Sequence, residues 1–118
     1  MPNEMMMYVR RFHGSLNGDF NPNEKLGVVV AIKDSDTNTV SYGWSRVRTN
    51  NGNLIDKFDR DKALLIARQR AKHGWSTHIT LKKDVVRALE EIEDRALRYF
   101  KDVDPKNFQQ LWNYEVVN

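Results

Sequence analysis

The order of hydrophobic periodicities along the chain predicts an α+β fold, in which an N-terminal antiparallel β-sheet precedes two α-helices and a short terminal helical segment. Residues 5–48 show the spacing of two that is typical of strands, and the chain from about residue 60 shows the helical spacing of 3.6. The 118 residues, 40% of them apolar, suffice for one core. We therefore expect one domain over residues 1–118, with both helices packed on one side of the sheet.

Three segments have the composition of β-strands. Residues 5–13 alternate loosely, and a loop dense in Gly, Asn and Pro follows them. Residues 26–32 are apolar on both parities, which is typical of a central strand covered on both faces. Residues 34–38 supply a turn, and residues 39–48 resume as a strand. One face of this third strand carries mostly small residues, which favours the close approach of a helix.

The helical part of the sequence divides into two segments, at about residues 60–73 and 83–102. Aspartates precede and begin the first segment, as the positive end of a helix dipole favours, and Gly74 follows its last residue. Pro105 suits the first turn of a further short helix, before a tail at residues 115–118. Two pairs of residues in the second segment are four positions apart, as in ion pairs on the exposed face of a helix: Glu91 with Arg95, and Asp94 with Arg98.

Composition and motifs exclude several kinds of site. Without cysteine, the chain has no disulfide, no thiolate zinc site and no cysteine nucleophile. The three histidines lack the spacing of metal ligands, and no phosphate-binding loop or nucleophile elbow occurs. We therefore expect no enzyme, no metal and no cofactor. No apolar run is long enough for a membrane helix and no signal peptide is evident, so we expect a cytoplasmic protein.

Positive charge is concentrated in one part of the chain. The net charge is only +3, but residues 60–83 hold seven basic residues and one acidic residue, whereas residues 84–118 carry −3. A basic helix is often only a solvated face. Together with Trp44 and Trp75 it also suits a nucleotide site, in which an indole stacks on a base while basic side chains hold phosphates. A tryptophan on a strand, such as Trp44, is more often part of the core than a platform for a ligand.

Four short segments within residues 26–102 are similar to segments of a known family. They are Tyr42-Gly-Trp-Ser45, Asp56-Lys-Phe-Asp59, Ile66-Ala-Arg-Gln-Arg-Ala71 and Arg95-Ala-Leu-Arg-Tyr-Phe-Lys-Asp102. In their order and in their residues they resemble segments of the Thoeris anti-defence protein 1 family, which phages encode. The resemblance implies a sheet followed by two helices, assembled as a dimer or larger complex in the host cytoplasm. It also implies sequestration, without cleavage, of the cyclic ADP-ribose isomer that TIR-domain immune enzymes make.

The resemblance further implies where the ligand binds. The family's adenine-stacking aromatic between the two helices corresponds to Trp75, and its basic-acidic pair at the end of the last long helix corresponds to Lys101-Asp102. A lysine there departs from the arginine of the family and removes bidentate phosphate binding. The predicted site therefore lies near the end of the first helix, the connector through Trp75 and the end of the second helix. Position and chemistry, without a motif match, add five candidates: Phe12, Trp44, Arg46, Arg68 and Arg98.

Two other functions stay open at this point. A nucleic-acid-binding phage or bacterial regulator would use the same basic helix and aromatic residues, and it would bind long polyanions with a steep salt dependence. A small protein-interaction inhibitor would instead use an exposed apolar patch around Phe108 and Trp112. A sheet of three strands also leaves edges available for pairing, so we expect a homo-oligomer.

Overall fold

An antiparallel sheet of three strands forms the N-terminal part of the fold. In the computed structural model, β1 (Glu4–Arg10), β2 (Lys25–Asp34) and β3 (Thr39–Arg46) pair with β2 in the middle. The helices α1 (Arg60–His73) and α2 (Lys83–Tyr99) follow the sheet, which confirms the α+β class and the central position of the second strand. The structure describes residues 3–10, 24–50, 53–54, 57–74, 79–101, 103 and 114–117.

Short strands form two further pairs. An antiparallel pair, β4 (Thr49–Asn50) and β5 (Asn53–Leu54), follows β3, and a parallel pair joins β6 (Ile79–Lys82) to β7 (Tyr114–Val117). Part of the predicted connector and most of the predicted tail are therefore strands. The predicted short terminal helix, from Pro105, lies outside the described residues. Within the described ranges, no helix has the length and apolar character that crossing a membrane requires.

The two helices cover opposite faces of the sheet. Successive strand residues point to opposite sides, so Val28 and Val30 of β2 pack with α1, whereas Val29 and Ala31 pack with α2. All four side chains are fully buried. The expectation that both helices lie on one side of the sheet is therefore wrong. The apolar residues at both odd and even positions of β2 correctly indicated a strand that is buried on both faces, and each of these faces packs against one helix.

The small face of β3 lets α1 approach the sheet backbone closely. A Cβ atom placed on Gly43 would lie 1.9 Å from the carbonyl oxygen of Ala67 and 2.8 Å from the amide nitrogen of Ala71. Both alanines are buried on the side of α1 that faces the sheet. The predicted packing of a helix on the small residues of this strand is confirmed. The short distance between α1 and β3 is possible because Gly43 has no side chain.

Local signals determine where α1 begins and ends. The carboxylate of Asp59 accepts hydrogen bonds from the amides of Asp61 and Lys62 at 3.1 and 3.2 Å. At the other end, Gly74 has a φ of 77°, a conformation that side chains disfavour, and its amide donates to the Arg70 carbonyl. These caps account for the agreement between the predicted and observed limits of this helix. The second helix ends earlier than predicted, at Tyr99.

Substituting Gly43→Ala is expected to lower the free energy of unfolding by about 1–3 kcal/mol, because the new methyl group would force α1 away from β3. Urea denaturation followed by circular dichroism measures the change. Ser41→Ala, on the same face of β3, is the control and should change stability by only about 0.5 kcal/mol. Equal stability of Gly43→Ala and wild type would contradict the close contact.

Tyr42 makes stability sensitive to alkaline pH. Burial raises the pKa of its phenol well above the ordinary value of 10.0, and the charge of Glu93 raises it further. The unfolded chain therefore loses this proton at a lower pH than the native state, so stability falls as pH rises above about 10, by up to about 1.4 kcal/mol per pH unit. Denaturation at several pH values should show a smaller alkaline loss for Tyr42→Phe than for wild type. Identical profiles would contradict this assignment.

Candidate anion-binding cleft

Two neighbouring cavities open around the end of β3. One, of about 500 Å³, lies beside the start of α1, and the other, of about 330 Å³, lies beside β6 and the first turn of α2. Arg46, Val47 and Arg48 line both cavities, so this short segment forms their common wall. We call the two cavities and the wall between them the β3 cleft.

The β3 cleft is rich in positive charge. Both helices begin beside it, so the positive ends of their dipoles add to the potential of the side chains. Cations that converge on a groove attract anions and raise their local concentration. The described residues of the lining include one acidic residue, Asp59, and five basic residues: Arg46, Arg48, Lys57, Lys62 and Lys82.

Arg46 is committed to a structural ion pair. Its Nε and Nη2 atoms donate to the two carboxylate oxygens of Asp84, at 2.8 Å each, and its Nη1 atom donates to the Val47 carbonyl at 3.1 Å. The Arg46 and Asp84 side chains are only 12% and 9% exposed. Because a carboxylate already occupies the guanidinium fork, Arg46 joins β3 to the first turn of α2 and is a poor phosphate ligand.

Trp44 lines the smaller cavity, but one side of its ring is already in use. The Arg70 guanidinium lies 4.0 Å from the centre of the indole ring, and its Nη1 atom donates to the Trp44 carbonyl at 2.8 Å. This is a cation–π contact made by a partly buried arginine, whose pKa is lowered by burial. The Trp44 Nε1 atom is buried and has no hydrogen-bond partner among the described residues. Trp44 also packs against the hydrophobic core on the α2 side of the sheet, so most of the ring serves the fold.

Three other predicted site residues lie away from the β3 cleft. Arg68 of α1 makes a bidentate pair with Glu4 of β1, at 2.7 and 2.9 Å. Arg98 pairs with Asp94 at 2.9 Å on the exposed surface of α2, and Lys101 is exposed beyond the end of that helix. The structure therefore brings Trp44 and Arg46 together, but not these three. The remaining predicted residues lie outside the described ranges: Phe12, Trp75 and Asp102.

Sequence reasoning missed several residues of the cleft. Lys62 and Lys82 belong to the basic segment at residues 60–83, and the alternation of the strand predicted at residues 39–48 groups Arg48 with Trp44 and Arg46, so a signal for these three existed. The other two are Lys57 and Phe58, which precede α1. They lie in the segment Asp56-Lys-Phe-Asp59, which carries part of the family resemblance, but only the packing of α1 on the sheet brings them to the end of β3.

Loss of the Arg46–Asp84 pair is expected to be far more costly than loss of an exposed pair. Asp84→Ala leaves a largely buried guanidinium without its carboxylate and should lower the free energy of unfolding by about 3 kcal/mol. The matched control, Asp94→Ala, removes the exposed pair with Arg98 and should cost about 0.5 kcal/mol or less. Chemical denaturation measures both values. Equal costs would contradict the structural role of Arg46.

The chemistry of the cleft is the basis for assigning a function. Among the residues that the structure describes, no group of three or more His, Asp or Glu side chains could hold a metal ion. No protein-family model, no curated protein and no solved structure matches this chain. The charges, rings and cavities of the β3 cleft are the structural features that bear on function.

Proposed function

We propose that the protein binds a small phosphate-bearing nucleotide of the cyclic ADP-ribose type in the β3 cleft and sequesters it unchanged. The observation that carries this proposal is the positive charge around two adjacent cavities: besides the ion-paired Arg46, their described lining holds four basic residues, Arg48, Lys57, Lys62 and Lys82, and one acidic residue, Asp59. The resemblance to phage anti-defence proteins supports the class of ligand. In this function a phage would use the protein to remove an immune signal from the host cytoplasm.

A ligand with a central diphosphate would suit the layout of the cleft. Arg48 lines both cavities, so phosphates held near it would lie between them. The larger cavity adds Lys57 and Lys62, and the smaller one adds Lys82. Two cavities of about 500 and 330 Å³ fall within the range of small-molecule sites, which would leave room for a nucleoside part on each side of the phosphates.

The aromatic residues of the cleft support a nucleotide over a simple inorganic anion. Phe58 lines the larger cavity and Trp44 lines the smaller one. An aromatic ring can stack on a nucleobase, which adds affinity that inorganic phosphate would not gain.

Sequestration, in preference to turnover, is the mode of action that we propose. Among the described residues that line the two cavities there is no histidine, and the two with hydroxyl groups, Ser45 and Thr80, belong to different cavities. A hydroxyl nucleophile needs a base within hydrogen-bond reach to become reactive. That the protein is not an enzyme stays a prediction, which intact ligand recovered after heat denaturation would support.

Removing one cation from the cleft should weaken ligand binding. Lys62→Gln keeps the length of the side chain and removes its charge, so we expect about tenfold weaker binding of a cyclic ADP-ribose isomer, or about 1.4 kcal/mol. Isothermal titration calorimetry measures the affinity. The control is Lys33→Gln. Lys33 lies on β2, six residues from Gly27, which pairs with Arg46 at the cleft, so this variant should bind the ligand as wild type does.

The same titration tests the location of the site. Trp75→Ala and Asp102→Ala remove two residues of the site that the family resemblance implies, and loss of base stacking would cost about 1–3 kcal/mol. If these two variants lose affinity while Lys62→Gln binds normally, the β3 cleft is not the site. If wild type binds no such isomer, the proposed ligand is wrong.

Nucleic-acid binding is the second candidate function. The observation that favours it is that three exposed basic residues, Lys57, Arg60 and Lys62, surround the start of α1. A long polyanion would bind with a linear fall of log affinity against log salt, with a slope set by the number of phosphate contacts. Titration of single-stranded DNA or RNA at several salt concentrations, beside the isomers, separates the two candidates.

A further inference from the structure

Asp59 places a negative charge inside a basic cleft. It lines the larger cavity together with Lys57 and Lys62, and it is the one acidic side chain among the described residues that line the β3 cleft. A carboxylate repels phosphate groups, so a cleft that held only phosphates would bind them more tightly without it. Phosphate binding therefore does not explain why an acidic residue lies at this place.

Helix capping explains one of the two carboxylate oxygens. The Oδ1 atom of Asp59 accepts hydrogen bonds from the amides of Asp61 and Lys62, at 3.1 and 3.2 Å. Asn and Ser cap helices about as well as Asp does, and they carry no charge. The two bonds also restrict the rotation of the side chain, so they hold the second oxygen, Oδ2, in a defined position. Capping thus fixes Oδ2 but gives it no role.

The Oδ2 atom of Asp59 is open to a ligand. Asp59 is exposed, and no described residue donates a hydrogen bond to Oδ2 or forms an ion pair with this carboxylate. An ionised carboxylate has acceptors only, so a ligand must bring a donor. A cationic donor would be repelled by Lys57 and Lys62, which are exposed in the wall of the same cavity. A neutral donor on an anionic molecule satisfies both demands.

We propose that Asp59 binds a ribose hydroxyl and makes the β3 cleft selective for ligands with a ribose phosphate unit. The inference rests on the proposed function and adds the part of the nucleotide that the larger cavity recognises. A ribose phosphate carries hydroxyl donors and an anionic group close together, as the lining residues require. Lys57 and Lys62 then attract the phosphate, while Oδ2 of Asp59 accepts from the hydroxyl.

The selectivity follows from the cost of an unmade hydrogen bond. A hydroxyl that donates to a carboxylate forms a short, charge-assisted hydrogen bond, which is stronger than a bond between neutral groups. A ligand without the hydroxyl displaces water from Oδ2 and makes no hydrogen bond in its place, so the site rejects it. Inorganic phosphate, which has no sugar hydroxyl, meets the repulsion of Asp59 without that gain.

Two substitutions separate the ligand contact of Asp59 from its role as a cap. Asp59→Ser and Asp59→Asn keep an oxygen that caps α1, and they remove both the charge and the second acceptor. Coulomb's law alone predicts that these neutral variants bind an anion more tightly, so weaker binding requires a lost hydrogen bond. In isothermal titration calorimetry we expect a cyclic ADP-ribose isomer to bind both variants about tenfold more weakly than wild type.

The matched control is Asp61→Asn. It removes the same charge from an exposed residue in the first turn of α1 that lines neither cavity. This variant should bind the isomer at least as tightly as wild type. Asp59 variants that also bind as tightly as wild type would overturn the inference and leave the proposed function intact. A wild type that binds no isomer would instead contradict the proposed function itself.

An analogue of the isomer distinguishes the two neutral donors that the ligand offers. With hypoxanthine in place of adenine, the analogue keeps every ribose hydroxyl and lacks the amino group of the base. Asp59→Ser should therefore weaken its binding by the same factor of about ten as for the parent isomer. Titration of wild type and Asp59→Ser with the analogue measures this factor, and its disappearance would overturn the assignment to ribose.

Discussion

Burial of β2 on both faces is the constraint on which the rest of the structure depends. A strand with valines on both parities cannot leave either face in water, so one helix has to pack on each side. Gly43 allows α1 to do so at backbone distance. On the other face, Val85, Leu89 and Ile92 of α2 are fully buried. The three layers follow from this arrangement.

The layers also explain where the positive charge collects. Each helix begins at the same end of the sheet, where β3 ends, so the residues before both helices meet there. The basic residues of this region have two roles, because some of them already make contacts that stabilise the fold. Arg46 is neutralised by Asp84, and Arg70 covers the ring of Trp44, so both serve the fold. The exposed side chains of Lys57 and Lys62 are better placed to receive an anion.

The two edges of the sheet are suited to different tasks. At the β3 edge, Arg70 satisfies a backbone carbonyl, which reduces the capacity of this edge to pair with another strand. At the β1 edge the side chains of one strand run from Glu4 to Arg10 and are opposite in charge at the two ends. The two edges therefore differ in the charges and backbone groups that they present.

The sequence by itself determined the local features: the central strand, the limits of α1 through Asp59 and Gly74, and the exposed pairs of α2. These depend on periodicity, caps and spacing, which act over a few residues. Only the tertiary structure decided that the helices lie on opposite faces, that β6 pairs with β7, and that Arg46 binds a carboxylate 38 residues away. Such contacts depend on how separate elements pack, and a linear pattern of charges does not specify which arginine is neutralised and which lysine borders a cavity.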